Sequence, residues 1–435
     1  MKKLSIFQTL LFGAFAVAAL IGVFVFATHT GKGNSGPATI GTVVIWGTLP
    51  ASAMQTLLTE ATKADQTLKD VSYVQKDPNT LPTDLASAIA TGNAPDLVLT
   101  SQEQLHSLAK LVTPVPVATL PAATFNSAFV SEGAMLATPA GDSYYGMPFL
   151  VDPLVLFYNR AILSTDGIAK PPATWEALTG LVPTVATLTP TKQITRGLIA
   201  LGGYSNVHNA RGILSALFLQ TGVPVSSYSN GQLAANLTGA TTGQSPGRAV
   251  LDFYTQFADP SKVSYTWNAS LPDSQQSFVN GDLALYLGYV SEAKFLRAAN
   301  PNLDFAVSQL PQPATATLKS AYGLLYSFMI PRGATNSSGA YQTAALFSTS
   351  AMQALAASAT GLAPASLSQL SVQPADPILV IAYGEALYTK GWLSPSPADT
   401  DSVFSSMITG VISGRLTLET ALTSSTNALS ALLQK

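Results

Sequence analysis

Val43-Val44-Ile45-Trp46 is an unbroken apolar run, and the residues after it repeat on a different period, with Met54, Leu57, Leu58 and Ala61 on one face of a helix. Working outward, a second strand is expected over Val71–Gln75 and a helix around Asp84–Ala90. A third strand, Asp96–Thr100, leads to a helix opened by Ser101, with Gln104 three positions on in the spacing of a capping box. Strand, helix, strand, helix, strand is the pattern of a parallel sheet covered by helices, whose ligands sit beyond the carboxyl ends of the strands. Trp46–Leu49 and Thr100–Gln102 lie at two such ends.

The pattern breaks at the prolines between Thr113 and Pro121, and a turn at Ala140-Gly141-Asp142 leads into Tyr144–Phe149. An apolar strand, Leu154–Tyr158, and a helix with Thr174 as N-cap and Glu176 in its first turn begin a second α/β lobe. From there to about residue 300 helical patterns dominate, notably Arg211–Gln220 and Arg248–Phe257. A length of 435 residues exceeds what one hydrophobic core organises, so two lobes are expected.

At the N-terminus Lys2 and Lys3 precede 24 uncharged positions, Leu4–Ala27, and Leu10–Ala27 carries no polar side chain. As a helix the stretch reaches about 36 Å, enough to cross a hydrocarbon core of about 30 Å. The expectation is a single-pass cell-membrane anchor over 1–28, cytoplasmic at its start, with everything after it extracytoplasmic. A cleaved secretory signal is the alternative, since Val25-Phe26-Ala27 has the small residues of a cleavage site, but the apolar run is longer than the usual signal core of about 7–15 residues. With no cysteine in the chain, acylation and disulfides are both excluded. Residues 29–40 are rich in Gly, Ser, Thr and Pro and read as a flexible tether.

Charged residues make up 10% of the chain, against about a quarter in ordinary domains, and the net charge is −2. Such a surface has no basic stripe for nucleic acid and suits a neutral polar ligand. His29, His106 and His208 show no metal-ligand spacing, and no P-loop is present, so neither metal nor cofactor is expected and any ATPase must be a separate chain. Gly243-Gln244-Ser245-Pro246-Gly247 fits a nucleophile elbow, but it lacks a buried strand before it and a histidine after it. Ser291-Glu292-Ala293-Lys294 fits a penicillin-recognising motif, but no Lys-Thr-Gly follows. No catalytic residue is assigned, and an extracellular hydrolase is the least supported reading.

Several segments, in order and spacing, resemble the family 1 extracellular solute-binding proteins, the maltose-binding-protein-like components of ABC importers. They are Val43–Trp46, Ala94–Thr100, Gly146-Met147-Pro148 leading to Leu156–Arg160, Pro172–Leu178, Phe278–Leu285 ending in Gly288-Tyr289, Gln309-Leu310-Pro311, Ile330–Gly333, Thr360–Ala365 and Gly414–Leu422. The resemblance spans nearly all of residues 42–432. It implies a two-lobe type 2 periplasmic-binding-protein fold with discontinuous lobes, 41–150 plus 313–350 and 151–312 plus 351–435. It also implies a binding subunit that presents a solute, here a sugar or oligosaccharide, to ABC permease subunits by hinge closure. The alternative is a membrane-anchored surface receptor or adhesion module without transport.

Sugar sites lay aromatic faces against the ring and fix its hydroxyls with amides, hydroxyls and carboxylates. Trp46 ends the first strand, and Trp267 stands among polar residues in Tyr265-Thr266-Trp267-Asn268, which points to exposure and stacking. By the resemblance, Tyr289 follows a strand where an aromatic faces the cleft, and Trp175 is a packing residue at a helix start. Trp392 reads as surface or core. Asp152 stands near the expected crossover, where it would accept sugar hydroxyls or hydrogen-bond within the hinge. Thr48, Gln102, Tyr204, Asn206 and Tyr322 are polar groups at segment ends that would converge on the ligand or serve as ordinary loop residues.

Overall fold

The structure, a computed structural model, describes residues 40–229, 231–239 and 245–434. The expected anchor (1–28) and all but the last residue of the tether lie outside them. Among the described residues no helix is long and apolar enough to cross a membrane. The chain divides into two compact units. The first runs to Val151 and is completed by Leu324–Pro374, and the second comprises Asp152–Gly323 and Ala375–Lys435. The lobes expected from sequence differ from these units at Val151, which falls in the first, and at two longer stretches. Residues 313–323 fall in the second unit because Ala321 and Tyr322 pair in register with Thr389 and Lys390. Residues 351–374 fall in the first because Ala363 and Pro364 pair with Val151 and Leu150.

In the first unit β1 (Val43–Gly47) lies between β2 (Val71–Gln75) and β3 (Leu97–Ser101), both parallel to it, with Ile45 opposite Tyr73 and Leu97. The helix Ala51–Ala64 buries Met54, Leu57, Leu58 and Ala61, the four positions its period singled out. The helix Leu81–Ala90 begins earlier than Asp84, with Pro82 in the first turn, where its missing N–H is no loss. The capping box at Ser101 is not formed. Gln102–Gln104 make one 3₁₀ turn without a side-chain cap, and Gln104 Nε2 instead donates to Pro78 O at 2.7 Å.

β4 (Met147–Asn159) carries the chain into the second unit, and only Tyr158 along it is not fully buried. There β5 (Ile194–Ile199) runs parallel to β6 (Leu283–Tyr289), while β6 and β7 (Phe305–Ser308) pair antiparallel with β4 through Leu287↔Leu156 and Val307↔Phe157. β8 (Ala321–Met329) returns to the first unit, where its far half is antiparallel to β3, Phe328 opposite Leu99. Each unit has its own aromatic core: Phe149, Phe328 and Phe347 in the first, and Phe157, Phe278, Tyr286 and Phe305 in the second.

The expectation of a helix-dominated stretch to residue 300 is corrected by β5 and by the hairpin Ser226–Ser229/Gln232–Ala235. Ile-Thr-Arg-Gly-Leu-Ile hides its strand period because Gly197 takes an inward position. A Cβ there would lie 3.0 Å from Thr266 O.

Of the nucleophile-elbow motif, Gly243 and Gln244 lie outside the described residues. Ser245 is the N-cap of the helix Pro246–Thr255: its Oγ accepts from Arg248 N at 3.4 Å and donates to Thr238 O. Gly247 is required by packing, since a Cβ would fall 1.8 Å from Leu237 O. Gly247→Ala is therefore expected to destabilise by about 1–3 kcal/mol through overpacking, read as a lower denaturant midpoint, whereas the exposed neighbour Ala249→Ser should change it little.

Candidate functional site

Three candidates of the first unit gather where β1 and β3 end. Lys76 Nζ sits 3.8 Å from the centroid of the half-buried Trp46 ring, a cation–π contact that holds the indole in place. Gly47 admits no side chain, because a Cβ would meet the Tyr73 ring at 2.7 Å and Leu99 O at 2.8 Å. Tyr73 Oη in turn donates to Leu49 O at 2.7 Å. This close packing brings Thr48 Oγ1 within 3.3 Å of Thr100 Oγ1, giving two hydroxyls beside the tryptophan. Gln102 is 1% exposed, and its Oε1 accepts from Leu325 N at 2.6 Å, so its carboxamide serves the sheet. Trp46 and Thr48, both partly exposed, remain the groups here that can meet a ligand.

In the second unit, Tyr289 ends β6 and its N–H donates to Glu292 Oε1 at 2.8 Å. A Cβ at Gly212 would lie 2.4 Å from Tyr289 Oη and 3.6 Å from Tyr322 Cδ1, so the two tyrosines converge on that glycine. Glu292 is the hub of the surrounding polar network, accepting from Asn209 Nδ2 (2.8 Å), Gln275 Nε2 (2.7 Å) and Tyr286 Oη. Sequence reading passed over Glu292 because it sat inside a motif set aside as accidental, and Gly212 because a glycine carries no chemistry of its own. Ser291 N, next in the chain, donates to Asp152 Oδ1 at 3.0 Å. Burial, opposed by the hydrogen bonds from Ser291, pushes the Asp152 carboxyl up to about 7. Asp152 thus works as a buried local acceptor.

Tyr204 Oη donates to Asp401 Oδ1 at 2.6 Å, and Arg211 closes the triad by an ion pair to the same carboxylate. Asn206 Nδ2 is held by Asn268 O (2.9 Å) and Leu271 O (3.0 Å), which leaves Oδ1 facing Gly203 without a partner. Trp267 is a correction. It is 1% exposed, enclosed beside Gly197 and Gly203, and its ring is not offered for stacking. Its polar neighbours point inward: Thr266 Oγ1 accepts from Leu198 N at 2.6 Å and Asn268 Nδ2 donates to Tyr265 Oη at 2.6 Å. Tyr322 is likewise buried, at 2% exposed. Trp175 and Trp392 are core residues whose indole N–H groups donate to Gln220 Oε1 (2.7 Å) and Ser215 Oγ (3.1 Å).

The profile of the bacterial extracellular solute-binding proteins matches residues 57–377. Among solved structures, the fold is similar to the cyclic α-maltosyl-1,6-maltose-binding protein of Arthrobacter globiformis, with a TM-score of 0.72 at 16% identity over 92% of this chain and 100% of that one. It is also similar to the sugar-binding protein MalE of Xanthomonas citri, with a TM-score of 0.70 at 18% identity over 90% and 97%. A third similar structure is the maltose/maltodextrin-binding domain MalE of Bdellovibrio bacteriovorus bound to maltotriose, with a TM-score of 0.65 at 16% identity over 91% and 100%. At these identities the likeness is one of fold. No curated protein matches the sequence.

Two buried carboxyls set an expected pH dependence. Burial raises Asp152 to about 7 and Glu385, which accepts from Leu310 N, to about 8. Both folded-state values lie above the unfolded ones, so the folded state holds protons that the unfolded chain releases. The resulting stabilisation is complete below about pH 4 and is lost as the pH rises through 7 and 8. Melting temperature should therefore fall between pH 5 and pH 8, and Asp152→Asn with Glu385→Gln should flatten that slope; an equally steep slope in the double variant would contradict the assignment. Trp267→Ala should unfold more readily, by about 3–5 kcal/mol as for a buried aromatic.

Proposed function

The chain belongs to the bacterial extracellular solute-binding proteins, and we propose that it is the carbohydrate-binding subunit of an ABC importer. The observation that carries this reading is the pair of aromatic-and-hydroxyl clusters at strand ends, Trp46 with Thr48 and Thr100 in one unit and Tyr289 on Gly212 in the other. Such groups stack on and hydrogen-bond to a sugar without needing its charge. The low charge of the chain agrees with a neutral ligand, and the similar structures named above are sugar-binding proteins. In this reading Trp46, Thr48, Tyr204, Asn206 and Tyr289 contact ligand, while Gln102, Asp152, Trp267 and Tyr322 hold the frame that positions them. Ligand stabilises a closed arrangement by its greater affinity for it, and permease subunits with a separate ATPase read that state. The molecule holds and releases its ligand unchanged. In this reading the uncharged stretch Leu4–Ala27 is retained and keeps it at the outer face of the cell membrane.

Thermal shift of the purified protein against neutral mono- and oligosaccharides tests this directly. A sugar that binds stabilises the native state by about 2.7 kcal/mol at 100 times its Kd. Trp46→Ala should weaken the responding sugar by about 2 kcal/mol, as for a stacking anchor, while Ser245→Ala leaves the affinity intact. A response to peptides alone would overturn the sugar reading, and a product peak would overturn the binding reading. The anchor is tested separately: the protein should resist carbonate extraction from membranes at full mass, and a soluble form beginning near Thr28 would show cleavage instead.

A further inference from the structure

The second unit carries a pocket that none of the nine candidate ligand residues lines. Its volume is about 560 Å³, within the range of about 300–1,000 Å³ usual for small-molecule sites. The Trp175 and Phe253 rings stand side by side in its wall, 5.6 Å between centroids at 59°. Leu318, 78% exposed, overhangs the rim. A side chain of that size left in water is apolar surface that a ligand would cover.

The polar groups of the wall are mostly committed. Gln220 accepts from Trp175 Nε1 and donates to Pro311 O (2.9 Å) and Ser320 O (3.1 Å), and Glu176 Oε2 accepts from Ala314 N at 3.0 Å. Two are not. Ser320 is 4% exposed, lines the pocket, and its hydroxyl has no hydrogen-bond partner. A buried hydroxyl left so forgoes what water would give it, about 1–3 kcal/mol. Lys390 also lines the pocket and pairs with no carboxylate among the described residues. Ser320 directly precedes β8, whose Tyr322 pairs in register with Lys390, so both residues stand at the same end of that pairing, and both line the pocket.

We propose that this pocket binds a small amphiphile with an apolar body and one carboxylate, such as a medium-chain fatty acid. The body lies against Phe253 and Leu318, with the buried Trp175 ring packed behind Phe253. The carboxylate accepts from the Lys390 ammonium and the Ser320 hydroxyl. An ammonium or hydroxyl head would leave Lys390 repelled or unpaired, so the charge of the head decides affinity. The site is independent of the carbohydrate reading, which places its ligand on other residues.

Calorimetric titration of the full chain with octanoate, octan-1-ol and octylamine tests it. Octanoate should bind one to one and about fivefold tighter than octanol, the upper end for a solvent-facing ion pair, with octylamine weakest. Lys390→Gln should bring octanoate down to the octanol value. Ala249→Trp, which fills the pocket from an exposed helix position, should weaken both by about tenfold. Neither variant should alter sugar affinity. Absence of octanoate binding, equal affinity for the three heads, or octanoate binding undiminished in both variants would overturn the proposal.

Discussion

Two continuous β-strands carry the backbone between the two units, and this continuity constrains everything else in the molecule. β4 pairs with Ala363–Pro364 in the first unit and with β6 and β7 in the second. β8 pairs with β3 in the first and with Thr389–Lys390 in the second. Neither unit is a contiguous piece of sequence, and each is folded only when segments far apart in the chain have come together. Any movement of one unit against the other must be absorbed at Val151–Asp152, Gly323–Leu324 and Pro374–Ala375, the places where the chain passes across. Asp152 is fixed at one of these by the Ser291 N–H, so a crossing strand is tied directly to the Tyr289–Glu292 turn that positions a ligand candidate.

That turn shows how a chain of low charge builds a polar site. Glu292 is spent on orienting neutral groups, Asn209, Gln275 and Tyr286, and leaves a tyrosine edge and carboxamides near the end of β6. The first unit reaches a similar result by another route, with a Lys76 ammonium over Trp46 and paired threonine hydroxyls. Groups that are already hydrogen-bonded and held by packing lose little freedom when a ligand arrives, which favours binding over adaptation.

The first unit's order was legible in the sequence because its signals are local. β1 to β3 and the helices between them declare themselves by period within windows of a dozen residues, and in the second unit Thr174 likewise caps its helix as its position foretold, accepting from Ala177 N at 3.4 Å. What was not legible depends on partners far away. The unit boundaries turn on the pairing of Ala321 with Thr389 and of Ala363 with Val151, which no window contains. Trp267 was misread because polar neighbours ordinarily mean solvent, whereas Thr266 and Asn268 satisfy themselves inside the fold. Ser101 and Gln104 have the spacing of a capping box, but Pro78 O offers Gln104 a competing acceptor.

Under the proposed function, ligand draws the two units together about their crossing strands. Small-angle scattering of the protein, free and saturated with the sugar that gives the largest thermal shift, measures this most directly. A radius of gyration that decreases on saturation is the predicted result, and an unchanged one would contradict hinge closure and favour a static surface module.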